Sequence, residues 1–181
     1  LAGALWASIA GVLKAFTGAH EVITTIMLNY IAINLTDYLA NGPWKDPGVI
    51  ARTPAVLATA VIPTWGFIPL GFLLACFMAV LTYYLLYKTT MGYAIRTTGM
   101  NPDAALYAGI KVSTVIVMTM AFSGFLAGMG GAVETLGVVG RYQPGFNAGL
   151  GFDGITIALL AKTNPLGVIP AAILIGAMNA G

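Results

Sequence analysis

A polar segment running from Lys88 to Lys111 separates two long apolar runs, and it constrains the fold more than any other part of the chain. Lys88, Arg96, Asp103 and Lys111 would each cost about 2.5–3.5 kcal/mol at the centre of a bilayer. The segment must therefore lie outside hydrocarbon while its neighbours cross it. Three of the four charges are positive, which favours a cytoplasmic loop. Within it, Asn101-Pro102-Asp103-Ala104-Ala105 reads as a helix start: a capping Asn, Pro in the first turn, an early acid, then helix-forming alanines. A short helix held in such a loop suits docking better than catalysis.

Composition agrees with a membrane location. The chain of 181 residues is 59% hydrophobic and 8% charged, against about 25% charged in soluble domains. Its net charge of +2 says little about partners, and no basic stripe interleaved with aromatics points to nucleic acid. The single Cys76 excludes an internal disulfide and reads as an inert thiol within a span. The chain opens on Leu1-Ala2-Gly3 and stops at Asn179-Ala180-Gly181 inside an apolar run, as expected of a fragment of a longer protein, and no signal peptide is recognisable.

A spanning helix needs about 20 residues. Residues 1–13 read as the tail of a truncated span ending at Lys14, and residues 22–40, 66–87 and 112–133 as complete spans. Residues 152–181 form a last apolar region, broken by Lys162-Thr163-Asn164-Pro165-Leu166-Gly167. The fold expected is an all-α, polytopic membrane protein. It is a helical bundle forming part of one transmembrane domain, with a cytoplasmic helix in loop 88–111 and a broken or re-entrant helix near the C-terminal end. Loop 41–65 carries the turn formers Asn41-Gly42-Pro43, Asp46-Pro47-Gly48, Pro54 and Pro63. Alternation places it outside with residues 136–151 and returns Lys14 to the inside, although Lys45 and Arg52 weaken the charge bias. Ser123-Gly124-Phe125-Leu126-Ala127-Gly128-Met129-Gly130-Gly131-Ala132 spaces small residues for close helix packing.

Several catalytic patterns are absent. Gly149-Leu150-Gly151-Phe152-Asp153-Gly154 matches the dinucleotide pattern but lacks the strand and βαβ unit it requires. Asp153 is misplaced by one residue for an intramembrane aspartyl protease, and no second acid completes a dyad. His20 stands alone, without the second histidine of a metalloprotease helix. No phosphate-binding loop ends in Gly-Lys-Ser/Thr. Asn34-Leu35-Thr36 is a glycosylation sequon by spelling only, because it lies within a span. Polar residues inside spans carry more weight, since they face the bundle interior or a water-filled path. Thr25 and Asn29, four apart on one face of the first complete span, are candidates for a substrate path. Asn29 offers both a donor and an acceptor to a neutral solute. Phe152, Asp153 and Asn164 flank the broken segment and are further candidates; Phe152 would stack on a base and Asp153 accept a hydrogen bond. The competing reading is that Asn29 bonds a neighbouring helix and Asp153 caps the following one.

The run from Gly92 to Ile110, written Arg96-Thr97-Thr98-Gly99-Met100-Asn101-Pro102-Asp103-Ala104-Ala105-Leu106-Tyr107-Ala108-Gly109-Ile110 over its conserved-looking part, resembles the cytoplasmic coupling segment of bacterial ABC importer permeases in the branched-chain amino acid, ribose and nucleoside group. Thr97 stands where that family usually has Ala. Gly149-x-Gly151-Phe152-Asp153-Gly154-Ile155 and the Ser123–Ala132 run also match, whereas Ala161-Lys162 replaces a usual Gly and its variable neighbour. Gly11-Val12-Leu13-Lys14 and Glu21-Val22-Ile23-Thr24-Thr25-Ile26-Met27-Leu28-Asn29-Tyr30-Ile31 are most similar to the nucleoside-type permeases. The resemblance implies an importer subunit of the bacterial inner membrane that performs no chemistry and binds no cofactor. ATP is consumed by a separate ABC ATPase subunit, which would dock on Arg96, Gly99, Asn101, Pro102, Ala104, Ala105, Gly109 and Ile110. A second permease subunit, identical or paralogous, and an extracytoplasmic substrate-binding protein complete the implied assembly in the lipid bilayer. Simple sugars or branched-chain amino acids are the alternative cargo. A secondary transporter is the alternative mechanism, but it predicts ion-coupling carboxylates at mid-membrane, and the acids here sit mainly near span ends.

Overall fold

The computed structural model describes residues 1–45, 53–57, 60–62, 64–65, 68–145 and 149–180. Asp46-Pro47-Gly48, Arg52, Pro63 and Gly181 lie outside the described residues. The described residues are mainly α-helical: α1 (Ala2–Thr17), α2 (Glu21–Asn41), α3 (Leu70–Lys88), α4 (Thr90–Met100), α5 (Pro102–Tyr107), α6 (Val112–Glu134), α7 (Leu150–Leu160) and α8 (Val168–Ala180). Outside the helices, Thr64–Trp65 pairs antiparallel with Ile68–Pro69 in a minimal two-residue ribbon. Among the described residues, three helical stretches are long and apolar enough to cross a membrane: Glu21–Asn41, Leu70–Lys88 and Val112–Val139. The last joins α6 to a π-helical turn, Thr135–Val139, which ends on Gly140 in the left-handed region (φ 70°).

Lys14 does not end α1, as the sequence suggested. The helix runs on to Thr17, and Gly18 closes it with a left-handed φ of 66° while donating its N–H to the Lys14 carbonyl. Lys14 sits in the last turn, where a cation suits the helix dipole, and pairs with Glu21 across the short connection at 2.6 Å.

The bundle interior is built from small residues. Ala10, Ala40, Ala105 and Ala171 are its buried apolar side chains, whereas Leu5, Phe16, Ile23, Met27, Phe77, Val80 and Leu159 point outward. In water such a surface would drive aggregation. In lipid it is the expected distribution, because helices there associate by close van der Waals approach rather than by hiding apolar area. The α1–α6 crossing shows this directly. A Cβ built on Gly3 would stand 2.5 Å from the Gly124 carbonyl oxygen, and one built on Gly11 would stand 3.0 Å from Met120 Cβ. Gly128 also faces Gly3, so half of the small-residue run in α6 is used here; Gly130 and Gly131 face open space.

Because Gly3 meets Gly124 and Gly128 while Gly11 meets Val117 and Met120, α1 and α6 run antiparallel. The α1–α2 connection therefore lies at the same end as the start of α6 and the α4–α5 elbow. The opposite end brings parts of the α2–α3 and α6–α7 connections together. Thr53 N–H donates to the Tyr142 carbonyl (3.1 Å), Val56 N–H to the Gly140 carbonyl (2.9 Å) and Ile62 N–H to the Leu136 carbonyl (3.2 Å). Residues 53–57, 60–62 and 136–142 thus share one end, opposite the charged 88–111 segment.

Candidate functional site

Two regions concentrate polar chemistry, and the first is the α4–α5 elbow. Thr89 caps α4: its hydroxyl oxygen accepts from the Gly92 N–H at 3.1 Å and donates to the Leu85 carbonyl at 2.6 Å. Gly92 packs directly on the carbonyls of Leu85 and Leu86, leaving no room for a side chain. Asn101 then separates α4 from α5. It is extended (φ −156°, ψ 105°), and its Oδ1 accepts from Asp103 N–H at 3.0 Å and Ala104 N–H at 3.1 Å. Pro102 occupies the first turn, where its missing N–H costs nothing. Gly109 closes the elbow at φ 78°.

The expected docking residues divide by exposure. Arg96, Gly99, Asn101, Pro102, Ala104 and Gly109 are exposed, and Ile110 is half-buried. Ala105 is fully buried and anchors α5 to the bundle. The Arg96 guanidinium lies 5.0 Å from the Tyr87 ring centroid, and Tyr87 in turn stacks at a tilt on Tyr83, so Arg96 ties the elbow to α3. Around these residues Met100, Leu106 and Tyr107 project into solvent, Tyr107 with 94% of its surface exposed. The sequence reading passed over these three because such side chains in a polar loop carry no motif of their own.

The second region is an open cleft of about 580 Å³ between α1, α2 and α6. Thr25 and Asn29 both line it, joined by Thr36, Trp6 and Ser123. At about 100° per residue, Thr25, Asn29 and Thr36 fall within about 40° of one another on α2, a spacing legible in the sequence once Thr36 is read as part of the stripe. Asn34 falls on the opposite side, with its Nδ2 donating to the Tyr30 carbonyl at 2.8 Å. The Trp6 Nε1 donates to the Leu28 carbonyl at 3.3 Å, which holds the indole against α2 beside Asn29. At the outer end of the stripe the Tyr142 hydroxyl stands 2.9 Å from Thr36 Oγ1 and 3.1 Å from Asp37 Oδ1. Burial pushes the Tyr142 phenol above its usual value; the Thr36 hydrogen bond opposes this, and Asp37 reinforces it.

The remaining expected path residues are not brought to this cleft. Phe152 is 78% exposed, and Asp153 is half-buried in the first turn of α7 with no capping hydrogen bond. Asn164 lies in the turn after α7, where its Oδ1 accepts from the Leu166 N–H at 3.1 Å. Its neighbours Thr163 and Pro165 line a different, largely apolar cleft of about 660 Å³, with Gly71 to Thr82 of α3 and Ser123 to Val133 of α6 opposite. The break between α7 and α8 therefore lies alongside two spans rather than beyond their ends. It is viable there because its backbone is satisfied internally. The N–H groups of Ala161, Lys162, Thr163 and Asn164 reach the carbonyls of Ile157, Leu159, Ala158 and Ala161 at 2.9–3.0 Å. Ser123 borders both clefts.

The sequence profile of the branched-chain amino acid transport system permease component matches residues 1–181. The chain belongs to this permease family. Among its relatives, the guanosine ABC transporter permease protein NupP of Bacillus subtilis is 38% identical over 188 residues, covering 99% of this chain and 54% of NupP. The nucleoside permease protein NupB of Lactococcus lactis is 32% identical over 99% of this chain and 53% of its own length. The glucose permease protein TsgB13 of Haloferax volcanii is 31% identical over 100% of this chain and 51% of its own length. The chain thus spans about half the length of the relatives it matches, and no solved structure matches it. Family membership and three spanning helices make it a membrane protein.

Proposed function

We propose that this chain is part of the transmembrane permease subunit of an ATP-driven importer of the bacterial inner membrane, and that the importer moves nucleosides inward. The subunit performs no catalysis. A separate ATPase seats on the α4–α5 elbow, a second permease subunit completes the pore, and an extracytoplasmic binding protein delivers solute to the other end. The elbow carries this reading: a well-capped two-helix unit held rigidly at one end of the bundle, with Met100, Leu106 and Tyr107 exposed on it. Rigid seating matters because ATP-driven motion can bias the spans only through contacts that differ between two states. NupP and NupB are named for guanosine and nucleosides, which supports the cargo. TsgB13 supports sugar import as a second reading. The α1–α2–α6 cleft has no charged side chain in its lining, which disfavours amino acids. Thr25 and Asn29 lie along the solute path in this reading, with Phe152, Asp153 and Asn164 approaching it in the complete protein.

Gly99 supplies the test. Nothing lies within 4 Å of a Cβ built there, so a large side chain fits the chain itself but obstructs a partner seated on the elbow. Gly99→Trp in the complete importer is expected to insert and assemble its spans normally while uptake and substrate-stimulated ATP hydrolysis fall at least about tenfold, the scale of a disrupted interface anchor. Wild-type uptake and hydrolysis in this variant would overturn the assignment of the elbow.

A further inference from the structure

Resting on the importer reading, we infer that the α1–α2–α6 cleft reads the flat heteroaromatic base of the transported solute. Trp6 is the stacking wall, and Asn29 is the residue that discriminates among base edges. The cleft is open on one side and has a volume of about 580 Å³, within the range of small-molecule sites. Its lining divides chemically. Gly3, Ala7, Gly124 and Gly128 give a smooth apolar floor, Trp6 supplies the one aromatic face, and hydroxyl or amide groups come from Thr25, Asn29, Thr36 and Ser123.

These polar groups are not equivalent. The Thr25 hydroxyl already donates to the Glu21 carbonyl at 2.8 Å, and the Thr36 hydroxyl to the Ala32 and Ile33 carbonyls at 2.9 Å. Thr25 can therefore only accept, and the Thr36 oxygen already accepts from the Tyr142 hydroxyl. Among the described residues, the Asn29 carboxamide forms no hydrogen bond, and neither does the Ser123 hydroxyl. Asn29 is the one side chain in the cleft with a free donor pair and a free acceptor side by side, the arrangement that pairs with adjacent donor and acceptor atoms on a base edge. A pentose or hexose presents hydroxyls around its whole rim and would leave several unsatisfied against glycine, alanine and indole. A base presents two apolar faces and a polar edge, which matches one aromatic wall, an apolar floor and one amide. The Trp6 indole is suited to stacking because its N–H is already spent on Leu28, fixing the ring beside Asn29.

The test uses the complete importer in proteoliposomes. Maximal uptake rates for guanosine and adenosine are measured with saturating, solute-loaded binding protein and normalised to assembled complex. Trp6→Ala should lower both rates about tenfold or more, the scale of a lost base–aromatic stack, while Trp6→Phe stays within about threefold of wild type. Asn29→Ala should change the guanosine-to-adenosine rate ratio about fivefold or more, because a base edge left unpaired is penalised according to its own donors and acceptors. Asn29→Gln, which keeps the amide, should retain the direction of the wild-type preference. An unchanged ratio in Asn29→Ala, or equal losses in Trp6→Ala and Trp6→Phe, would overturn the assignment. If Trp6→Ala does not assemble, the Asn29 pair decides the question alone. Absence of ATP-dependent uptake of any solute by the assembled wild-type complex would instead overturn the importer reading.

Discussion

Two helix breaks among the described residues, the α4–α5 elbow and the α7–α8 turn, are built differently. At the α4–α5 elbow the break lies beyond the spans and uses residues suited to it. Thr89 and Asn101 cap the two helix starts, Pro102 takes the first turn of α5 and Gly109 takes the left-handed closing position. At the α7–α8 turn the break lies alongside the spans and uses residues that resist it. Lys162 and Thr163 both hold positive φ, 51° and 58°, in a region that costs a non-glycine residue about 1–2 kcal/mol. The hydrogen bonds are those of a Schellman closure, with Thr163 N–H reaching the Ala158 carbonyl and Lys162 N–H reaching the Leu159 carbonyl, but the usual glycine is missing. The first break is made with residues that favour it. The second is held by its surroundings, where irregular backbone borders a cleft.

The largest effect should come from removing the fit at the first break. A side chain at Gly92 would run into the carbonyls of Leu85 and Leu86, and those backbone groups cannot move without unwinding the end of α3. Gly92→Val is expected to cost about 3 kcal/mol or more, the upper end of overpacking. Thermal denaturation of the purified complex should show loss of folded protein well below the wild-type midpoint. A melting temperature within about 2 °C of wild type, on the scale of roughly 2–8 °C per kcal/mol, would mean that the elbow does not pack on α3 as described.

A smaller effect should follow from removing the cap and leaving the packing. Asn101→Ala deletes the acceptor for the Asp103 and Ala104 N–H groups but leaves Ala105 buried and Pro102 in place. The expected loss is about 1 kcal/mol. It should appear as faster amide hydrogen exchange confined to residues 102–108, and Asn101→Asp, which keeps an acceptor, should restore most of the protection. Uniform acceleration across α6 as well would show that α5 is not an independent unit on the end of the bundle.

The same contrast explains what the sequence could disclose. The start of α5 was legible because Asn101 and Pro102 are local signals, each fixing its own backbone and the hydrogen bonds beside it, whereas α4 and its Thr89 cap were not read from the sequence. Thr25 and Asn29 were also legible as a pair, since helical periodicity alone puts them on one face. The cleft they open into was not, because its other wall depends on Gly3, Ala7, Gly124 and Gly128 bringing α1 against α6, and Trp6 enters only through that crossing. Phe152 and Asp153 sit beside the expected break, but proximity in sequence to a broken helix does not aim a side chain into a cavity. The break itself was expected over residues 162–167 and falls there, between the end of α7 at Leu160 and the start of α8 at Val168. Pro165 forbids the helix from continuing, but the left-handed Lys162 and Thr163 decide where it stops, and neither residue announces that conformation.

Lys162 therefore offers the smallest and most selective test of the comparison. Replacing it by glycine removes the left-handed penalty of about 1–2 kcal/mol, while the freer unfolded chain returns about 0.4–1 kcal/mol. A net gain of about 0.5–1 kcal/mol is expected for Lys162→Gly. Lys162→Ala controls for the loss of charge and of the long side chain, since alanine keeps a Cβ and so keeps the strain. The glycine variant should melt above the alanine variant, whatever the shared effect of removing the ammonium. At the elbow the order reverses: Ala104 and Ala105 have ordinary helical backbones, so glycine there should cost about 1 kcal/mol relative to alanine. Equal melting temperatures for Lys162→Gly and Lys162→Ala would mean that the second break carries no left-handed strain in the assembled protein. The two breaks would then differ only in their depth, not in how they are held.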